Sequence, residues 1–398
     1  MTQGPTAAML VPEPDEQDTA LFQRLIDTTL TQEHVDELIT PQYTYAEEKE
    51  FLAIHWHPQH VPLDLVKQRF DALFPNVAEA DRLIIPTEHN VLHGWGDYAG
   101  VEVDCADHKM KLKVQLLLHF KVDAVGCVRE ELGDTAGEDK GKAHTLRTML
   151  DHTARYRTKQ LRHLLETAAN PEAPQHQHRL ERAVRASSAT PQIVDFVSAQ
   201  AHKLLHLLGT EVDAPTTDER RSTLLRDTVE AQRATLGPLF TAQVHAYTKA
   251  LRGRVKAEFP LDFFYTAQEC IEEARALGAM VTIPHPEQFW PILLANYDAD
   301  GVEVWNPQSK RHTDFLIATI TETNRRRAKS GKRKPIIVTT GDDCHVGEMV
   351  QQLVSDHQRP VRELGVQGAW SDDNTLEALH EAGISRQSIM RAVRERLG

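Results

Sequence analysis

Hydrophobic positions along the chain follow two patterns, one typical of buried strands and the other of helices. Short apolar runs that fit strands lie near 51–56, 82–87, 100–104, 109–121, 280–284, 301–304 and 335–340. Between several of them, apolar residues recur at helical spacing, as in Leu63–Phe74, Ala267–Leu277 and Asp314–Arg327. Alternation of strands and helices predicts an α/β fold with a largely parallel sheet.

The middle of the chain has a helical pattern almost throughout. Apolar residues recur at i, i+3, i+4 spacing over Leu146–Thr167, Ile193–Leu208 and Leu224–Phe259. The sequence therefore predicts five segments, which are a helical lead-in (1–48), a first α/β part (49–128), an all-helical insertion (129–262), a second α/β part (263–350) and a short helical C-terminal segment (351–398). We expect the insertion to cap the functional site, because long insertions often shape or gate such sites.

Histidines and carboxylates follow four of the predicted strands. They lie in the runs HWH (55–57), EH (88–89), PHP (284–286) and DCH (343–345). Side chains alternate along a strand, so His55 and His57 point the same way, as do Asp343 and His345. Ligands concentrate at the carboxyl ends of strands in open α/β sheets and barrels. This mixture of imidazole and carboxylate suits Zn²⁺, Mn²⁺ or Fe²⁺, and the number of groups is enough for two or three ions.

The order of these motifs resembles the PHP (polymerase and histidinol phosphatase) family of metal-dependent phosphoesterases. Two more segments fit this resemblance, Ala99–Val103 with Glu102 and Leu116–Phe120 with His119. The similarity covers roughly residues 50–122 and 278–350. Two departures are that Ala53 replaces the usual aspartate before the first histidine and that Glu88 replaces the aspartate of the second motif.

The resemblance implies a division of the ligands among three ions. The first would be held by His55, His57, Glu102 and Asp343, and the second by Glu102, His119 and His285, with Glu102 bridging. The third would be held by His89 and His345, together with either Asp64 or His60. Asp64 stands seven residues beyond His57, where the family often has an aspartate, and His60 is the alternative.

The resemblance also implies a fold and a reaction. The fold would be a distorted (β/α)₇-type barrel interrupted by the helical insertion. The reaction would be hydrolysis of a phosphate ester, in a small metabolite or a nucleotide, by water activated at the ions, with His55, His57, Glu102 and Asp343 as the catalytic set. Three alternatives stay open, an exonuclease acting on single-stranded ends, amidohydrolase chemistry at a carbonyl, and a metal-binding regulatory module without catalysis.

Composition limits the other function classes. The formal net charge of −13, from 45 basic and 58 acidic residues, weighs against a protein that tracks duplex nucleic acid. The basic run Arg325–Lys334 lies at a predicted helix end, where cations favour the helix dipole. No apolar run reaches the roughly 20 residues that span a bilayer, so we expect no membrane partner. The four cysteines form no CxxC pair, which indicates a reducing, cytoplasmic setting.

One further acidic residue is expected to support the ligands without binding an ion. Glu303 lies in the strand Gly301–Val304. Metal-binding histidines usually donate their second ring N–H to a carboxylate or a carbonyl, which fixes the ring. We therefore expect Glu303 to orient either a ligand or the helix that follows its strand.

Overall fold

The computed structural model of the chain describes residues 4–122, 141–209, 218–295, 297–331, 333–350 and 362–398, with the side chains of 141–145, 218–222 and 294 left out. The predicted boundary at 128/129 lies outside the described residues. Most of the described residues fall into two compact units. A helical unit comprises 4–29 and 154–260, and an α/β unit comprises 30–122, 141–153, 261–350 and 362–398.

The helical unit is built from amphipathic helices around one apolar core. Its helices are Glu16–Ile26, Tyr156–Ala169, Pro174–Ser187, Pro191–Leu208, Asp218–Ala231, Arg233–Leu236 and Pro238–Ala257, preceded by a 3₁₀ turn at Ala7–Leu10. Three of them begin with proline, whose fixed φ angle and missing N–H suit the first helical position. Their buried faces meet around Leu165, Val197, Val229, Val244 and Leu251. The predicted helical middle segment is thus helical where it is described.

The described residues of the α/β unit form ten strands. They are β1 (Phe51–Ala53), β2 (Trp56–His57), β3 (Arg82–Ile84), β4 (His93–Trp95), β5 (Tyr98–Asp107), β6 (Leu112–Lys121), β7 (Met280–Ile283), β8 (Gly301–Trp305), β9 (Ile337–Thr340) and β10 (Cys344–His345). Strands β4 to β9 form one sheet in chain order. Its pairs are antiparallel from β4 to β7 and parallel from β7 to β9. Two further sheets consist of one parallel pair each, β1 with β3 and β2 with β10.

Helices and 3₁₀ turns complete the α/β unit. The helices are Gln32–Ile39, Leu63–Leu73, Gly141–Thr153, Ala267–Ala276, Thr313–Ser330, Val346–Val350, Asp373–Glu381 and Arg386–Leu397. The 3₁₀ turns are Glu79–Asp81, Leu261–Phe263, Pro286–Leu294, Lys310–His312 and Gly368–Trp370. A capping box between Thr266 and Glu269 begins one helix at Ala267, which agrees with the start predicted from apolar spacing. Among the residues described, no helix is both long and apolar enough to cross a bilayer.

The larger sheet carries the main core of the α/β unit. Val101, Leu118, Val281, Val304 and Val338 are buried in one apolar cluster that also includes residues of the helices Ala267–Ala276 and Thr313–Ser330. Buried on both sides of their pleat, β7 to β9 read in the sequence as continuous apolar runs. This packing fixes where the strands end, and therefore where the residues that follow them lie.

The mixed α/β class predicted from the sequence is confirmed, whereas the closed barrel is not found among the named strands of the described residues. Backbone hydrogen bonds nevertheless link segments that continue these strands. Glu102 N–H, in β5, donates to the carbonyl of Glu88, after β3, at 3.0 Å, and Asp343 N–H, between β9 and β10, donates to the carbonyl of His55, between β1 and β2, at 2.9 Å. These bonds place the motif EH beside β5 and the motif DCH beside HWH.

Candidate metal centre

In the described part of the chain, side chains of seven residues form three overlapping groups of donor atoms. The groups are His55, His57 and Asp343; His55, Glu102 and His285; and His57, His89 and His345. Within each group, one donor atom from every residue lies within 4.8 Å of the others. Because His55 and His57 each belong to two groups, the three are contiguous. Such an arrangement fits a cluster of neighbouring ions better than one isolated ion.

The pairing of β2 with β10 brings distant parts of the chain together. His345 stands opposite His57 in this parallel pair, and their rings stack with centroids 4.3 Å apart. Asp343 lies just before β10, where its Oδ1 is 3.4 Å from Nε2 of both His57 and His345. The i, i+2 spacing that the sequence shows within HWH and DCH therefore places these four side chains around shared space.

Glu102 occupies the centre of the second group. Its strand β5 forms an isolated parallel bridge with His89, which brings the EH motif beside it. Glu102 Oε2 is 2.9 Å from His89 Nδ1 and 3.5 Å from His57 Nε2, and Oε1 is 3.4 Å from His285 Nε2. One carboxylate thus faces three imidazoles, which is the position of a bridging ligand.

Two of the candidate ligands have backbone conformations that are rare for residues other than glycine. His285 has a φ angle of +26° and Asp343 a φ angle of +48°. Backbone of this kind costs on the order of 1–3 kcal/mol per residue and clusters at functional sites. His285 lies just after β7 and Asp343 lies just after β9. The strain is therefore located where the chain leaves these strands and turns the two side chains toward the centre.

Charges within the centre determine which groups are ionised. Burial would raise the pKa of Glu102, but His89 and the other imidazoles hold that pKa well below its usual value. Burial would likewise raise the pKa of Asp343, but the adjacent imidazoles of His345 and His57 keep it well below its usual value. Burial, together with the neighbouring His345 and His89, lowers the pKa of His57 to about 3. The carboxylates are therefore anionic and His57 is neutral, as metal ligands require.

Glu303 orients His55, as expected from the sequence. The Nδ1–H of His55 donates to Oε1 of Glu303 at 2.8 Å, which leaves Nε2 to face Asp343. Glu303 Oε2 also accepts the backbone N–H of His285 at 2.8 Å. Burial alone would lower the pKa of His55, but the Glu303 carboxylate raises it to about 10. One buried carboxylate thus holds a ring and a backbone segment of the centre in place.

The donor atoms fit metal binding because the protein itself does not satisfy them. Nε2 of His55, both ring nitrogens of His57 and both carboxylate oxygens of Glu102 are buried without a hydrogen-bond partner among the described residues. Native proteins seldom leave buried polar atoms in this state unless a water or an ion satisfies them. Divalent ions would satisfy these nitrogens and oxygens together, so the residues present fit a metal cluster.

Three of the ten predicted ligands lie outside these groups. His119 is on the same face of the β5–β6 hairpin as Glu102, but its Nε2–H donates to the carbonyl of Ile54 at 2.9 Å. Its Nδ1 is buried without a hydrogen-bond partner, and burial lowers its pKa to about 4. His60 lies beside Gly347. Asp64 is exposed in the first turn of the helix Leu63–Leu73.

Several residues at the centre carried no signal in the sequence. Gln308 donates its amide N–H to Asp343 Oδ2 at 2.6 Å, and Arg362 donates to both the backbone carbonyl and the carboxylate of Asp343. The Gln59 amide lies 3.2 Å from Nδ1 of His345. The carboxylate of Glu287, two residues after His285, is buried without a hydrogen-bond partner, and burial raises its pKa. Lone polar residues in loops have no pattern that could have marked them.

Comparisons of the chain with protein-family models, with curated proteins and with solved structures find no match. The basis for assigning a function is therefore the set of seven donors and their geometry.

Proposed function

We propose that the protein is a metal-dependent phosphoesterase of the PHP type. The observation that carries the proposal is the overlap of the three donor groups, in which His55 and His57 are each shared. Clusters of two or three ions are suited to phosphate esters, since neighbouring ions can contact the attacking and the leaving oxygen of one displacement. The motif order HxH, Glu-His, His, DxH along the chain supports the same assignment.

The chain's own residues would divide the work as follows. His55, His57 and Asp343 would hold one ion, Glu102 and His285 a second with His55 at their border, and His89 with His345 a third. Zn²⁺, Mn²⁺ or Fe²⁺ bound there would lower the pKa of a bound water and offset the charge of the phosphate. Glu303 would hold the Nδ1–H of His55 and so direct Nε2 of that ring at its ion. The burial of these side chains would exclude bulk water from the cluster.

Arg362 is positioned to contact an anionic substrate. It donates to Asp343 and is about one-third exposed, so part of its guanidinium faces solvent beside a candidate ligand. Arginine binds phosphate through paired N–H donors. We assign to Arg362 the binding of a phosphate oxygen next to the ion held by Asp343.

The finer fold assignment belongs to the same proposal. A distorted (β/α)₇-type barrel would be formed by the six-stranded sheet together with the pairs β1–β3 and β2–β10. The hydrogen bonds from Glu102 to Glu88 and from Asp343 to His55, one at each side of these pairs, support this arrangement.

The experiment is a measurement of phosphate release from a panel of phosphomonoesters, nucleotides and short oligonucleotides. Wild-type protein loaded with Mn²⁺ or Zn²⁺ is compared with the Asp343→Ala and His57→Ala variants, which should lose at least about 99% of turnover because each removes a candidate ligand. His202→Ala, on a helix of the other unit, is the matched control and should retain full activity.

Two results would contradict the proposal, and a third would change the substrate that it assigns. Stoichiometric metal binding without turnover of any ester would indicate a regulatory metal-binding module instead. Turnover that survives in both variants would place the reaction elsewhere on the chain. Preference for oligonucleotides over every small ester would replace the phosphatase by the exonuclease alternative.

A further inference from the structure

Two large aromatic side chains near the metal centre are exposed and touch each other. Trp290 is 36% exposed and Phe315 is 58% exposed. Their ring centroids are 5.7 Å apart. Single exposed apolar residues are ordinary, but exposed aromatic rings that form one patch often mark a binding site.

His312 completes the patch, which we call the aromatic corner (Trp290, His312 and Phe315). The ring of His312 lies 5.0 Å from that of Trp290 at an interplanar angle of 87°, and Phe315 meets Trp290 at 80°. Arg311 donates from Nε to Nε2 of His312 at 3.0 Å, which fixes that ring. Two rings thus stand edge-on to the third. A flat aromatic ligand can stack on one ring and meet the edge of another.

Short contacts connect the aromatic corner to the metal centre. Gln308 donates to Asp343 Oδ2 at 2.6 Å. Its side-chain oxygen also accepts from the amide of Gln288 at 3.4 Å. Trp290 is only two residues beyond Gln288, at most about 7 Å of backbone. Contacts through Gln308 and Gln288 thus lead from Asp343 to the segment that carries Trp290, and a ligand with its phosphate at Asp343 would extend along them.

The charges beside the aromatic corner balance each other. Lys310 and Arg311 are exposed on the 3₁₀ turn that leads into the helix Thr313–Ser330, and the exposed carboxylates of Asp314 and Asp372 lie near them. Two cations beside two carboxylates leave no net charge that would select a cationic or an anionic group. A flat, uncharged aromatic group suits the three rings under these conditions.

We propose that the aromatic corner binds the base of a nucleotide whose phosphate ester lies at the metal centre. This inference rests on the proposed function and narrows its substrate class to free nucleotides. Stacking on aromatic side chains depends little on the identity of the base, so we expect similar use of purine and pyrimidine nucleotides.

The test compares ligands that differ only in the base. Binding of the non-hydrolysable phosphonate analogues of AMP and of ribose 5-phosphate to Mn²⁺-loaded protein is measured by calorimetry. The analogue with a base should bind at least about tenfold more tightly, because stacking on aromatic side chains contributes this much per base. Phe315→Ala and Trp290→Ala should each remove most of that advantage and leave the affinity for the ribose analogue unchanged.

Two controls separate stacking from general effects. Phe315→Leu retains an apolar side chain without an aromatic face and should behave like Phe315→Ala. Tyr43→Ala removes an aromatic residue that is 75% exposed elsewhere and should change nothing. Equal affinity for the two analogues would overturn the proposal, and so would affinity that rises steadily with the length of an oligonucleotide.

The outcome is distinguishable from that of the phosphoesterase assay. If no ester is hydrolysed but the base still adds affinity that depends on Phe315, the aromatic corner stands as a nucleotide site and the reaction fails. If esters are hydrolysed equally well with and without a base, the reaction stands and the nucleotide assignment fails.

Discussion

Glu303 offers the sharpest test of how the metal centre is built. Its two oxygens accept from different groups, Oε1 from Nδ1–H of His55 and Oε2 from the backbone N–H of His285. The variant Glu303→Gln keeps the shape of the side chain but removes its charge and replaces one acceptor by an NH₂ group. One of the two donors then faces another donor in a buried site.

The expected loss of metal affinity follows from the role of such carboxylates. A carboxylate behind a metal-binding histidine fixes the ring and strengthens the ligand, and its removal typically lowers metal affinity about 10- to 100-fold. This corresponds to roughly 1.4–2.8 kcal/mol. Glu322→Gln is the matched control, because the Glu322 side chain is 43% exposed and pairs with Arg325 and Arg326 on its own helix. It should bind Mn²⁺ or Zn²⁺ like the wild type.

Proton release provides a second measurement that a general structural defect would not reproduce. Glu303 raises the pKa of His55 to about 10, so His55 carries a proton at pH 7.5 that metal binding must displace. Without the carboxylate this pKa falls, and the variant should release close to one proton fewer per bound cluster. Calorimetry in buffers of different ionisation enthalpy measures this number. Unchanged affinity together with an unchanged proton count would refute the assigned role of Glu303.

Two further predictions concern stability, each followed by chemical denaturation with circular dichroism. Gly365→Ala should lower the free energy of unfolding by roughly 2–5 kcal/mol, since the φ angle of Gly365 is +72° and a Cβ there would lie 2.0 Å from the Phe51 ring. Gly383→Ala, also at a φ angle of +72° but in open space, should lower it by only about 1–2 kcal/mol. Equal losses of stability would contradict this packing. Burial raises the pKa of Tyr247 from 10.0 to about 12, so the folded form holds its proton longer than the unfolded chain and stability should decrease by about 2 kcal/mol as the pH rises from 10 to 12. Tyr247→Phe should be about 2 kcal/mol less sensitive to pH over that range, and an identical pH profile would show that the hydroxyl is not buried in solution.

Local patterns were enough to predict the elements that carry the site. Apolar runs predicted the strands that precede His285 and Asp343, and helical spacing predicted the helix after Pro62 to within one residue, Leu63–Leu73 against Leu63–Phe74. The i, i+2 rule placed His55 and His57 on one side, and both now lie in one donor group with Asp343. These inferences depend only on the alternation of side chains and on helical periodicity, which neighbouring residues determine.

The same local rules could not locate Asp64. Its spacing from His57 resembles that of the PHP family, but the side chain is exposed in the first turn of a helix. The direction of a residue just inside a helix depends on how that helix is rotated about its axis. Packing of Val66 and Phe70 into the core sets that rotation. Spacing along the sequence therefore does not fix the direction of Asp64.

The sequence by itself determined the α/β class, the helical middle segment and the set of histidines and carboxylates at the strand ends. Only the tertiary structure decided which of them share space, such as His57 with His345 across the β2–β10 pair or His55 with Glu303, 248 residues away. It also placed Gln308 and Arg362 against Asp343. The physical reason is that alternation within a strand is local, whereas the order and register of strands depend on packing between distant segments.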